Sequence, residues 1–217
     1  PEFTILEWYR LGYDHFELMN EVEQLLIYTL GCQQATYISY QEVFNEKVGI
    51  DPLVTCVSEL KNYLTSNDML DDWLIDVEDV DTLLQFIFAE VVEKSIGKEA
   101  PCFVYGFPSS QASLAKICLK DERVSERFEC YYKGLELANG FHELTDSQTQ
   151  YQRFDADNQK RMQLGLVTRP IDTRFITSLN SGLPECSGVA LGVDRLMMLL
   201  SDIDNITDIL TFPIENA

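Results

Sequence analysis

The order of hydrophobic and polar residues divides the chain into stretches with a two-residue alternation and stretches with a helical repeat. Residues 2–10 alternate, and one face of the predicted strand carries four side chains: Phe3, Ile5, Glu7 and Tyr9. A carboxylate among these apolar side chains has two explanations. Either Glu7 lies in water on an edge strand, or it binds a cationic ligand.

Helical periodicity predicts helices over residues 14–30, from 39 through Phe44 and Val48, and over 56–64, 146–164, 172–179 and 196–200. Asp14 with Glu17, and Ser39 with Glu42, have the spacing of a capping box, in which each side chain accepts a hydrogen bond from the other's backbone. Apolar residues between Leu83 and Val92 predict a buried helical seam that ends near Gly97.

Short apolar runs at 36–39, 102–107 and 186–193 predict further strands. Strands and helices do not alternate as βαβ units, which favours the α+β class with an antiparallel sheet flanked by helices. We expect residues 1–217 to form a single domain, since no linker or low-complexity segment interrupts them.

The stretch 128–143 predicts a β-hairpin, because two runs of aromatic and aliphatic residues flank Lys133-Gly134. A two-residue turn there pairs Tyr132 with Leu135, Tyr131 with Glu136, and Glu129 with Ala138. The resulting face carries Glu129, Tyr131, Glu136 and Ala138.

Two like charges on one face of the hairpin are destabilising unless a cation lies between them, and Mg²⁺ with bound phosphates would serve. A bulge near Ala138–Gly140 would turn Asn139, Phe141 and Glu143 towards the same cavity. The alternative is a surface hairpin with scattered glutamates.

The composition of the chain disfavours some classes of function. A formal net charge of -20 disfavours broad non-specific nucleic-acid binding. The six cysteines are dispersed without a CxxC pair and only two histidines occur, so we expect reduced thiols in a cytosolic protein rather than a zinc site. The seven acids of residues 68–81 are typical of a solvated loop and helix start.

Small residues alternate in 187–193, which allows a ligand to approach the strand backbone. Arg195 follows where a helix begins, and both its charge and the helix N-terminus favour phosphate. The alternative is a tightly packed strand–helix corner with Arg195 in an ion pair.

These residues carry a resemblance to class II aminoacyl-tRNA synthetases. Residues 188–195 resemble motif 3, residues 1–9 resemble the second strand of motif 2 in its lysyl form, and residues 136–143 are similar to the lysine-pocket hairpin of lysyl-tRNA synthetases. Residues 103–115 and 186–192 are more similar to a paralogous family of ligases that act on elongation factor P. The resemblance covers nearly the whole chain.

The resemblance implies roles for residues at matching positions. Phe3 would stack on adenine, Arg195 would contact the triphosphate of ATP as the catalytic residue, and Glu129 and Glu136 would bind its Mg²⁺. The amino-acid pocket would be lined by Glu7, Tyr9, Asn139, Phe141, Glu143, Ala190 and Gly192.

The implied reaction is adenylation of a β-lysine carboxylate and transfer to a lysine side chain of elongation factor P, by a cytoplasmic protein that forms a homodimer at full length. A lysyl-tRNA synthetase core, or a non-catalytic paralogue that binds an amino acid or nucleotide, are the alternatives. The excess of acidic over basic residues disfavours tRNA as a partner.

The chain departs from the family pattern in two respects. It begins without methionine inside a predicted strand, so we expect motif 1, the first strand of motif 2 with its arginine, and part of the dimer interface to lie upstream. We therefore expect this stretch alone to be inactive. Second, Ala190 stands where lysyl-tRNA synthetases have glycine.

Overall fold

The computed structural model describes residues 2–214 and contains one six-stranded sheet. Pro1, which belongs to the stretch resembling motif 2, lies outside the described residues. The strands are β1 (Ile5–Leu11), β2 (Thr36–Ser39), β3 (Cys102–Tyr105), β4 (Arg127–Tyr132), β5 (Leu135–His142) and β6 (Cys186–Gly192). Their order in the sheet is β1-β6-β5-β4-β3-β2, which places the first strand of the chain at one edge.

The α+β class with helices flanking the sheet is confirmed. Every neighbouring pair of strands is antiparallel except β2 and β3, which run parallel. That pair departs from the predicted antiparallel arrangement because the long helical segment between β2 and β3 can return the chain to the same end of the sheet, as a parallel connection requires.

Seven α-helices occur among residues 2–214: α1 (His15–Leu30), α2 (Tyr40–Lys47), α3 (Val57–Ser66), α4 (Val80–Ile87), α5 (Ser147–Gln163), α6 (Thr173–Asn180) and α7 (Val193–Ser201). Both predicted capping boxes form, at Asp14 before α1 and at Ser39 before α2. Gly31 ends α1 in the left-handed conformation, with φ 63°.

The predicted helical seam towards Gly97 is only partly an α-helix. α4 ends at Ile87, and the chain continues as a wider π-turn over Phe88–Val92 and then a 3-10 turn over Glu93–Ser95. Phe88 stacks on Tyr40 there, with ring centroids 5.0 Å apart. The apolar pattern predicts the burial of this segment but not the change in helical pitch.

The two faces of the sheet are covered differently. On one face α1 packs Leu18, Val22 and Leu26 against Phe128 and Leu191. On the other face the helices α2, α3 and α4 form a second core that reaches the sheet through β3 and β4. On this second side, the surface of β1, β6, β5 and the first half of β4 carries the candidate site described below. We call this surface the polar face.

All six cysteines are free thiols. None of the helices in residues 2–214 combines the length and the hydropathy that crossing a membrane would need.

Candidate functional site

The hairpin β4–β5 contains a bulge, and its position differs from the prediction. Tyr132 pairs with Leu135 and Tyr131 with Glu136 as predicted, but Cys130 pairs with Ala138. Leu137 is therefore the extra residue, and Glu129 lies opposite Asn139 instead of Ala138. The predicted pairing of Glu129 with Ala138 is wrong, and so is the predicted place of the bulge.

Packing explains the position of the bulge. Ala138 is buried with Cys130 beneath α1, so its side chain leaves the face that carries Glu129. Gly140 is needed for space rather than for a bulge, because a Cβ there would lie 2.3 Å from the Phe128 ring. The bulge brings Asn139 and Phe141 to the face of Glu129, which is the outcome that the sequence predicted.

Two rows of side chains cross the polar face. Strand register places Glu7 opposite Ala190, Ala190 opposite Asn139, and Asn139 opposite Glu129. The neighbouring row runs from Tyr9 through Gly188 and Phe141 to Arg127. Glu7 is exposed on the edge strand, as its first explanation required, but its side chain shares this face with the other predicted residues.

Glu129 is almost fully buried and has several hydrogen-bond donors around it. The Arg127 guanidinium and the Tyr131 hydroxyl both donate to its carboxylate, and Asn139 Nδ2 donates at 2.9 Å. Arg127 compensates the charge of Glu129, which would otherwise be costly at 7% exposure. The Oδ1 atom of Asn139 has no hydrogen-bond partner within residues 2–214.

Three carboxylates gather beside Tyr131: Glu93, Glu129 and Glu136. Burial raises the pKa of Glu136, and the charge of Glu129 raises it further. Burial and the Glu129 charge likewise raise the pKa of Glu93. Burial is the larger cause of both shifts and the charge of Glu129 adds to it, so a cation bound here would favour the ionised carboxylates. Carboxylate oxygens at such a place suit Mg²⁺.

Arg195 lies in the first turn of α7 and points back to the hairpin. Its Nη1 donates to the backbone carbonyl of Glu136 at 2.6 Å and lies 3.8 Å from the Glu136 carboxylate. Asp194, its neighbour, accepts a hydrogen bond from the Thr4 backbone N–H at 2.5 Å and so joins α7 to the residues that precede β1.

A first cavity of about 300 Å³ opens between these elements. Its lining includes six of the predicted site residues: Phe3, Glu136, Asn139, Ala190, Gly192 and Arg195. Phe3 is 66% exposed, so its ring is free to contact a planar ligand. The cavity therefore has an aromatic ring, a guanidinium and a carboxylate at its margin.

A second cavity of about 400 Å³ lies further along β1 and β6, near Leu11 and Cys186, and is lined by Tyr9 and Glu143. Their side chains meet above Gly188, where an added Cβ would lie 2.5 Å from the Tyr9 ring and 2.6 Å from Glu143 Oε1. Burial raises the pKa of Glu143 to about 7. Glu7 and Phe141 lie in the rows between the two cavities, and among the described lining residues they belong to neither.

Sequence reasoning did not single out three residues of this arrangement: Arg127, Glu93 and Gly188. Arg127 lies one residue before the predicted hairpin. Its spacing of two residues from Glu129 could have indicated that both side chains lie on the same face of the strand. Gly188 was one of several small residues with no distinguishing signal. Glu93 could not have been found, because it reaches the site through the π-turn that the apolar pattern does not predict.

The chain belongs to the class II tRNA synthetase family of the D, K and N type, whose family model matches residues 1–216. The fold agrees with this family, since a mostly antiparallel sheet carries the candidate site on one face.

Two curated relatives are named elongation factor P--(R)-beta-lysine ligase. The protein of Haemophilus influenzae strain PittGG is 54% identical over 217 residues, and that of Salmonella paratyphi B is 52% identical over 218 residues. Each match covers all of this chain and 66% of the relative, so the chain spans slightly less than two thirds of their length.

Proposed function

We propose that the protein carrying this chain is an ATP-dependent ligase that adenylates (R)-β-lysine and transfers it to a lysine side chain of elongation factor P. The observation that supports the proposal is that one face of the sheet carries two cavities, one lined by Glu143 above Gly188 and the other by Glu136 and Arg195. The names of relatives at 52% and 54% identity supply the substrate and the partner.

The pocket residues suit an amine. Glu143 and Glu7 offer carboxylates, and Asn139 Oδ1 is an acceptor without a partner among the described residues. An ammonium group has three donors and no acceptor, so it needs such a lining. Tyr9 and Phe141 would flank the aliphatic part of the lysine-type substrate. Gly192 would leave space along β6, and the methyl group of Ala190 would limit that space.

The first cavity suits ATP. Phe3 would stack on adenine, and Arg195 would contact the triphosphate. Glu129 and Glu136 would hold Mg²⁺, which supplies charge neutralisation to the phosphates when bound. Glu93 is a further carboxylate for this ion, since it lies beside Tyr131 and the charge of Glu129 contributes to raising its pKa.

The residues of the site would act mainly by positioning. The chemistry requires the amino-acid carboxylate to approach the α-phosphate in line, and no side-chain nucleophile is needed. Glu143 and Asn139 fix the amine end, Ala190 and Gly192 bound the middle, and Arg195 stabilises charge on the phosphates. Arg127 is a positioning residue, since it holds the Glu129 carboxylate in place.

The proposal extends to the setting of the protein. A cytoplasmic homodimer follows from the family resemblance, and the acidic composition makes tRNA an unfavoured partner. Elongation factor P would present its lysine at the amino-acid pocket after adenylation.

ATP–pyrophosphate exchange tests the proposal directly, with (R)-β-lysine and α-lysine as separate substrates and the protein carrying this chain as the enzyme. We expect exchange with β-lysine and a mass increase of elongation factor P by one lysyl group. Exchange with neither substrate would leave only a non-catalytic binding role.

A lysyl-tRNA synthetase core is the second candidate, because the matched family model includes K-type tRNA synthetases. It requires exchange with α-lysine and charging of tRNA. Charging of tRNA without modification of elongation factor P would replace the first proposal with this one.

A further inference from the structure

The only two histidines of the chain lie together on the α1 face of the sheet, opposite the candidate site. His15 is the first residue of α1, and His142 is the last residue of β5. Glu126 contacts His142 twice: its backbone carbonyl accepts from His142 N at 2.9 Å, and its Oε2 lies 2.5 Å from His142 Nδ1. One ligand atom from each of the three residues lies within 4.8 Å of the others.

His15 provides a second, independent indication of a ligand. Its side chain is 7% exposed, and its Nδ1 has no hydrogen-bond partner within residues 2–214. A buried ring nitrogen without a partner costs free energy, and native structures rarely leave one unsatisfied. A metal ion bound to the imidazoles would supply what is missing.

We propose that His15, Glu126 and His142 form a binding site for one zinc ion, separate from the candidate nucleotide and amino-acid site. Two imidazole nitrogens and one carboxylate oxygen are a ligand set that Zn²⁺ accepts, with a fourth position for water. His142 Nδ1 and Glu126 Oε2 are 2.5 Å apart, so the ion would replace their contact and separate them to about 3.3 Å, the spacing of two ligands in a tetrahedral zinc site. His142 Nε2 lies 2.8 Å from Glu185 Oε1 but is not aligned for a hydrogen bond there.

The site joins parts of the chain that are far apart in sequence. The ion would hold the N-terminus of α1 to the end of the β4–β5 hairpin. His142 lies between Phe141 and Glu143, whose side chains project to the polar face. The ion would therefore stabilise the strand end that positions Glu143, without contacting a substrate of the polar face.

A hydrogen-bonded cluster without metal is the competing explanation. In it His142 is shared between Glu126 and Glu185, and Lys116 pairs with Glu185. That arrangement leaves His15 Nδ1 without a partner, which is the reason to prefer the metal site.

Zinc titration of the chelator-treated, dialysed protein, followed by isothermal calorimetry, tests the proposal. We expect one Zn²⁺ per chain and a loss of affinity of at least about tenfold in each of His15→Gln, Glu126→Gln and His142→Gln. In the Co²⁺-substituted protein we expect visible bands of a four-coordinate nitrogen and oxygen site. Because the chain has only two histidines, imidazole NMR signals report both ligands in the unaltered protein, even if a variant fails to fold.

Three matched variants control for other donors. Glu46→Gln removes an exposed carboxylate elsewhere, Cys56→Ser removes an exposed thiol, and Glu136→Gln alters the acids of the polar face. All three must keep the affinity of the unaltered protein. The proposal is overturned if Zn²⁺ leaves both histidine signals unchanged, if Co²⁺ gives a thiolate charge-transfer band, or if Glu136→Gln abolishes binding while His142→Gln does not.

Discussion

Glu143 is a charged residue type in a buried position. The residue is 8% exposed, and burial raises the pKa of its carboxyl group to about 7. At neutral pH the group is therefore divided between an acid that cannot pair with an ammonium ion and a carboxylate that can. The amine-binding role proposed for it must then depend on pH.

We predict that the affinity for a lysine-type substrate increases as the pH rises from 6 to 8. Below pH 7 the Glu143 carboxyl is protonated, so binding of the ammonium requires the release of a proton, at most about tenfold in affinity per pH unit. Calorimetry across this range measures the effect. Glu143→Gln should bind weakly with little pH dependence, whereas Glu46→Gln should behave as the unaltered protein; a retained slope in Glu143→Gln would assign it to another group.

The same burial predicts a cost in stability. The pKa of Glu143 is raised from 4.5 to about 7, so the folded state binds a proton more tightly than the unfolded state. Protonation of Glu143 therefore stabilises the folded state below pH 4.5, the unfolded pKa. This stabilisation, about 3 kcal/mol in all, is lost as the pH rises through 7. Denaturant unfolding at pH 8 should find Glu143→Gln more stable than the unaltered protein, with the difference shrinking by pH 4. Equal stability at both pH values would contradict this.

Ala190 is the residue that we expect to select between lysine isomers. It lies between Glu7 and Asn139 and lines the first cavity, so its methyl group occupies space that glycine would leave for an α-amino group. In the full-length protein that carries this chain, Ala190→Gly should raise the ratio of kcat/KM for α-lysine to that for β-lysine by roughly tenfold to two-hundredfold. Ala35→Gly, the same change at the margin of the core beneath α1 and outside both cavities, should leave the ratio unaltered. An equal change for both isomers in Ala190→Gly would indicate an effect on folding alone.

At the scale of elements, local signals predicted most of the fold. The capping boxes at Asp14 and Ser39 form because side chain and backbone are three residues apart, so the sequence contains the whole interaction. The β4–β5 turn was predictable for the same reason. The bulge at Leu137 was misplaced, because its position depends on Ala138 packing beneath α1.

Features that depend on distant contacts were beyond prediction. The π-turn at Phe88–Val92 accompanies aromatic packing with α2, and the neutralisation of Glu129 by Arg127 depends on register. Nearly all predicted site residues nevertheless reach one face, because strand alternation together with the bulge at Leu137 fixes which strand side chains project together.

The capping box of α1 allows an element-scale test. Asp14→Ala removes the hydrogen bond that the Asp14 side chain accepts from Glu17 N at 2.9 Å. We expect a loss of about 1 kcal/mol in the free energy of unfolding, measured with urea. Asp76→Ala, an exposed aspartate in the loop before α4, should change stability by less than half as much. Equal losses would show that charge, and not capping, accounts for the effect.

At the scale of the whole molecule, electrostatic repulsion should limit stability. The chain has 36 acidic and 16 basic residues, and its ion pairs are mostly exposed and individually weak. Screening should therefore weaken repulsion more than attraction. We predict that Tm rises when the ionic strength increases from about 10 mM to 500 mM, across which the Debye length falls several-fold. Choline chloride should match sodium chloride; an unchanged Tm would contradict the prediction.

The extra residue at Leu137 has a consequence for how the gene can change. Deleting it would restore uninterrupted alternation in β5, so Asn139 and Phe141 would turn into the packed interior and His142 would emerge on the polar face. A single lost codon would thus exchange the two faces of β5 beyond Leu137. Evolution can substitute residues in this hairpin one at a time, but insertions and deletions here should be absent from functional descendants.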